Sequence, residues 1–244
     1  MHITGIVDTE NSQEVLETIK YFMSTAGVKI SVTEYGSRFK NKDIWNDYCS
    51  ALVHIGTEIL LIKIKAIYLD EVIRILPIDT IIVNDISQWK KISTLIKHEN
   101  NSKQRDMIII LNSDIIKPSN FTDEEKYRVL CYGFNSDSNI TASSTGEPYN
   151  SGQFLCCVKN SIVSTNGSCV EPQEFAMNLD NIKNDPYNLL AAASFAVLHG
   201  IDLNRINKIN KINKINEINK INEINEKIMP KQPEITGLNV LENN

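Results

Sequence analysis

The sequence has no C-x-x-C pair. Its five cysteines, Cys49, Cys131, Cys156, Cys157 and Cys169, are odd in number. This argues against a disulfide framework and against a cysteine-based zinc site, and leaves reduced, mostly buried thiols as the expectation. None of the four histidines, His2, His54, His98 and His199, is spaced with another for a metal. Cys49 and His54 lie five residues apart and share no helix face well, so they make a poor nucleophile–base pair. Basic charge is short: 25 Lys and Arg stand against 30 Asp and Glu, a net charge of −5. That excludes a surface built for nucleic acid or an anionic membrane. No apolar run is long enough to span a bilayer, and residues 59–67 are interrupted by Lys63 and Lys65. The chain opens on a strand-like segment with no basic-then-apolar leader, which places it in the cytoplasm by expectation.

What is present is ordinary for a globular protein. The 244 residues are 42% hydrophobic and 23% charged, enough for one sizeable core. Strand-like and helix-like segments alternate. HITGIV, VKISVTEY, EILLIKIKA, DTIIVNDI and MIIILNSD are β-branched and apolar, as parallel strands covered on both faces are. Between them, SQEVLETIKYFMSTAG, a helix starting near Asp43, YLDEVIRIL and ISTLIKHEN carry helical spacing. This predicts βαβ units in a three-layer α/β domain. After Asp123, YRVLCYGFNSD, NITASST, QFLCCVKNSIVST and QEFAMNLD read as short strands in an antiparallel patch at one sheet edge. Cys156 and Cys157, neighbours in one strand, should face opposite ways. DPYNLLAAASFAVLHGID then reads as a helix, with Asp185 and Pro186 at its start and Gly200 at its end. His199, close to that end, is where a cation is mildly favoured.

From residue 206 the chain reads INKINKINKINEINKINEINEKI. Isoleucines three apart slip back by about 60° per repeat on a helix, so the apolar stripe winds around it. A heptad needs a period of 3.5, and this is not one. Residues 204–244 are therefore expected to be a solvated helical or disordered tail. A partner-binding or oligomerisation helix is the other reading.

The order of ITGIV, YGFNSDSNITASS and YNLLAAASFAVLHGID resembles the central, ATP-binding domain of the Mur ligases over residues 1–203. These enzymes add amino acids to the muramyl peptide precursors of the bacterial cell wall. The resemblance implies a mostly parallel sheet of the P-loop type with an antiparallel edge patch. In the family, the first strand leads into a GTNGKTT phosphate loop. Here that stretch is Asp8, Thr9, Glu10, Asn11, Ser12, Gln13 and Glu14. Only Thr9 is kept. Ser12 stands in place of the lysine and Gln13 in place of the magnesium-binding threonine. Three carboxylates crowd a site meant for a polyanion, a repulsion on the order of a few kcal/mol where half-buried.

Elsewhere Lys63 stands where the family has a magnesium-binding glutamate, and Trp89 and Lys90 replace an Asp-His pair. Asn84, Asn112, Asp114 and Asn188 remain as nucleotide-binding remnants, and Ile115 follows where a second aspartate is usual. Asn188, matched to an asparagine near the adenine, reads equally as a helix-capping or packing residue. The losses fall on every charged catalytic position that aligns. The expectation is a degenerate, non-catalytic domain that acts by binding, with no catalytic residue, metal or cofactor. Its partner would be a Mur ligase, another cell-wall protein or a muramyl ligand, and neither nucleic acid nor membrane. The alternatives are an ATP- and magnesium-dependent amide ligase of peptidoglycan precursor synthesis, with Lys29, Lys63 or Lys90 reaching the phosphate site, and a scaffold working through the repeat.

Overall fold

The computed structural model describes residues 1–7, 12–36, 39, 41–84, 89, 92, 107–117, 127–142, 153–178 and 185–206. Residues 8–11, Lys90, most of ISTLIKHEN and residues 207–244 lie outside the described residues.

Strand β1 (His2–Val7) leads to helix α1 (Ser12–Thr25), then β2 (Ile30–Glu34), α2 (Lys42–His54) and β3 (Ile59–Ile64). A 3₁₀ turn at Ala66–Tyr68 precedes α3 (Leu69–Ile75) and β4 (Thr80–Val83). Strands β5 (Met107–Asn112), β6 (Tyr127–Tyr132), β7 (Ile140–Ala142) and β8 (Gln153–Val158) follow. The hairpin β9 (Ile162–Val163) and β10 (Cys169–Val170), then β11 (Gln173–Asn178) and α4 (Pro186–Leu198), complete the domain.

Nine strands form one sheet in the order β11-β8-β7-β6-β5-β4-β1-β3-β2. From β2 to β7 every pairing is parallel; β8 and β11 are antiparallel to their neighbours. The antiparallel patch is thus smaller than its sequence texture suggested. YRVLCY pairs parallel to β5 over its whole length, Met107↔Tyr127 through Asn112↔Tyr132. Its apolar, β-branched neighbour sets its direction, and local turn signals do not.

Strand alternation makes two cores. On one face Ile6, Leu61, Ile82 and Ile110 pack against α1 (Val15, Leu16, Ile19, Phe22) and α4. On the other, Val7, Leu60, Ile62 and Ile81 pack against α2 through Trp45 and Leu52 and against α3 through Leu69 and Val72. In α4 every residue from Asn188 to Leu198 is buried. Its alanines let α1 approach closely, and a helix apolar all round belongs inside a core. Asp185 caps it by accepting from Tyr187 N at 2.8 Å, with Pro186 in the first turn. Leu203 and Ile206 are buried in the same core.

Cys156 is buried and Cys157 half-exposed, on opposite faces as alternation requires. The thiols are less buried than expected as a set: Cys131 and Cys156 are buried, Cys49 is intermediate and Cys169 exposed. Burial pushes the Cys49 thiol above its usual range, which disfavours the thiolate a nucleophile needs.

Candidate functional site

In an open parallel sheet, ligands bind outside the carboxyl ends of the strands, where the strand order reverses. Here that place lies between β1, whose connection leaves toward β2, and β4, whose connection leaves toward β5. The ends of β1, β3, β4, β5 and β6 meet there with the beginnings of α1 and α4. The structure brings Gln13, Glu14, Asn84, Asn112, Asp114 and Asn188 to this one edge.

Their hydrogen bonds go to the protein itself. The Asn188 side chain, 3% exposed, donates from Nδ2 to Glu14 Oε2 at 2.9 Å, across 174 residues of sequence. That bond ties α4 to α1. Tyr132 donates its hydroxyl to Asn84 Oδ1. That phenol is fully enclosed, and burial pushes its pKa far up, with the negative charge near Asp185 adding to the effect. It therefore stays a donor.

Asn112 Oδ1 accepts from Asp114 N at 3.0 Å. The Asp114 carboxylate accepts from Phe134 N at 2.7 Å and from Asn135 N at 3.0 Å. Tyr187 lies close by: burial, followed by the Asp114 charge, raises that phenol's pKa. The loop after β6 is pinned a second time: Asn135 Nδ2 donates to Ser113 O, and Ser113 Oγ shares a hydrogen bond with Ser138 Oγ at 2.8 Å. Phe134, 47% exposed, meets Tyr187 edge-to-face with ring centres 5.3 Å apart.

Gln13 donates to Glu17 Oε1 at 2.9 Å, one turn along the outside of α1. Ser12 is buried. Asp8, Thr9, Glu10 and Asn11 lie outside the described residues. Lys63 is half-buried and pairs in register with Ile6, on the sheet face that α1 covers. Lys29 is elsewhere: its ammonium donates to Ile55 O, at the opposite, amino-terminal edge of the sheet. Trp89 is buried in the α2–α3 core. Among the described residues, no three His, Cys, Asp or Glu side chains form a group that could hold a metal ion.

Sequence reasoning missed Tyr132, Ser113, Asn135 and Tyr187. Their residue types were visible in YGFNSD and DPYN, but their partners lie 19–48 residues away or on another element. Replacing Tyr132 by phenylalanine removes a single hydrogen bond while keeping the ring. It is expected to lower stability by about 1 kcal/mol, measured by urea denaturation.

No sequence-family profile and no curated protein matches the chain. Solved structures do match its fold. A murein peptide ligase from Psychrobacter arcticus aligns over 85% of this chain and 46% of its own, with a TM-score of 0.50 and 11% identity. A bifunctional folylpolyglutamate synthase/dihydrofolate synthase with Mn, AMPPNP and L-glutamate bound aligns over 85% and 56%, with a TM-score of 0.48 and 11% identity. A folylpolyglutamate synthase–AMPPCP complex aligns over 85% and 62%, with a TM-score of 0.47 and 9% identity. The chain thus spans about half the length of the solved proteins it matches. Over the aligned part, its fold is the mostly parallel α/β fold seen in the murein peptide ligase.

Proposed function

We propose that this chain is a Mur-ligase-like domain that has kept the scaffold, dropped ATP-dependent ligation and acts by binding another component of cell-wall peptide assembly. The observation that carries this reading is the internal use of the polar groups at the sheet's carboxyl edge. Asn188 is bonded to Glu14, Asn84 to Tyr132, and Asp114 to two backbone N–H groups. A magnesium nucleotide held in the family's way would compete with each of these bonds. It would also meet Gln13 where a magnesium-binding hydroxyl belongs. These side chains do not fit a magnesium triphosphate, and no catalytic step is assigned to them.

The partner on this reading is a Mur ligase, another cell-wall protein or a muramyl ligand in the cytoplasm of a bacterium, with no nucleic acid, no membrane and no cofactor. The reading is tested by turnover. The purified protein with Mg-ATP, a muramyl peptide and amino acids should release phosphate no faster than a protein-free control. Magnesium-dependent release that is abolished by substitution within residues 8–14 would overturn it.

Lys63 supports a second reading, an active amide ligase with a non-standard phosphate loop. It is a half-buried cation beside the end of β1, on the face where α1 begins. That reading requires the same turnover to appear and Lys63→Met to remove it. A scaffold working through the INK/INE repeat is the third. Deleting residues 208–244, which spares the buried Ile206, should change oligomeric state or partners if it holds.

A further inference from the structure

Two imidazoles meet at the sheet edge opposite the candidate site. His2 begins β1 and His199 follows α4, and their ring centres are 4.7 Å apart, edge to face. His199 Nδ1 lies 2.9 Å from Phe195 O. A carbonyl only accepts, so Nδ1 carries the proton and Nε2 is a bare acceptor. Nε2 is buried and has no hydrogen-bond partner among the described residues. The Phe195 ring packs against the same imidazole, with centres 4.2 Å apart. His2 Nε2 lies 2.9 Å from Thr80 Oγ1. His2 Nδ1 lies 3.9 Å from Asp79 Oδ2, an oxygen that already accepts from Ile3 N. Among the described residues, the charged groups acting on His2 are the Asp79 carboxylate and the Met1 amino group; the Glu58 carboxylate is turned to Lys29 N.

We infer that the His2–His199 contact is a proton-sensitive fastener between β1 and the end of α4, closed while both rings are neutral and opened when they are protonated. A proton on His199 Nε2 would place a charge at a buried nitrogen with no acceptor among the described residues. A proton on both rings would set two cations side by side, with the Asp79 carboxylate near His2 alone. Burial holds His199 down to about 4, with the His2 ring adding to the shift and the Phe195 carbonyl opposing it. Burial also lowers His2, against the Asp79 charge. A histidine kept neutral in the folded state binds fewer protons than the same residue set free. Its contribution is therefore intact above about pH 6.5 and is lost as pH falls from there toward 4.

The test uses the full chain. Amide hydrogen exchange should show protection at Gly200 and Ile201 falling by about twentyfold between pH 7 and pH 5, relative to amides in the middle of α1. His199→Phe should remove that difference while keeping the ring packing. NMR titration of the wild-type imidazoles needs no variant to fold: His199 should remain neutral at pH 5. A His199 resonance titrating near pH 6.5, or equal pH-dependent loss of protection at Gly200, Ile201 and mid-α1, would overturn the inference.

Discussion

Gly133→Ala is expected to lower stability by about 3 kcal/mol, with the slope of the denaturation curve unchanged. Gly133 sits at φ +150, a conformation that side-chain-bearing residues rarely adopt. A methyl group there would lie 2.8 Å from Asp114 Oδ2 and 3.0 Å from Ser113 Oγ. Neither neighbour can withdraw cheaply. Asp114 is held by Phe134 N and Asn135 N, and Ser113 by Ser138 and the Tyr132 carbonyl. The substitution therefore adds backbone strain to a clash with a fixed carboxylate. Urea denaturation of both proteins checks it. A loss under 1 kcal/mol would mean that the loop after β6 is not latched to the end of β5 as described.

Glu14→Ala is the second large effect, about 2 kcal/mol. Asn188 is nearly enclosed, so removing its carboxylate partner leaves a buried amide without its 2.9 Å bond. The cost is the desolvation of that amide, and the bond's own net worth is smaller. For this reason Glu14→Gln, which keeps an acceptor, should cost less than half as much. In a double-mutant cycle, Glu14→Ala and Asn188→Ala should be non-additive by 0.5 kcal/mol or more, as residues sharing a bond are. Additive losses would show that the two side chains do not support each other in solution.

The sheet was legible because its strands are covered on both faces. Runs such as ILLIKI and MIIILN have no other stable placement than the middle of a parallel sheet, and the helical spacing of Val15, Ile19 and Phe22 fixes the face of α1. Direction was harder. YRVLCY sits among turn residues that suggest hairpins, while its parallel pairing with β5 depends on a strand fifteen residues upstream. The candidate site was legible as a set of positions and not as a set of bonds. Nothing local in NLLAA says that Asn188 meets Glu14. His199 was read from its place at a helix end as a favourable site for a cation. Burial at that helix end instead holds it neutral, with His2, almost the whole domain away in sequence, adding to the effect. Hydrogen-bond partners and burial come from topology, and residue type alone carries neither.

The proposed function requires that the carboxyl edge of this sheet take no nucleotide. The most direct measurement is calorimetric titration of the purified protein with Mg-ATP, beside a variant rebuilt to GTNGKTT at residues 8–14. The account predicts no heat of binding for the native protein and saturable heat for the rebuilt one. Micromolar binding of Mg-ATP by the native protein would contradict it.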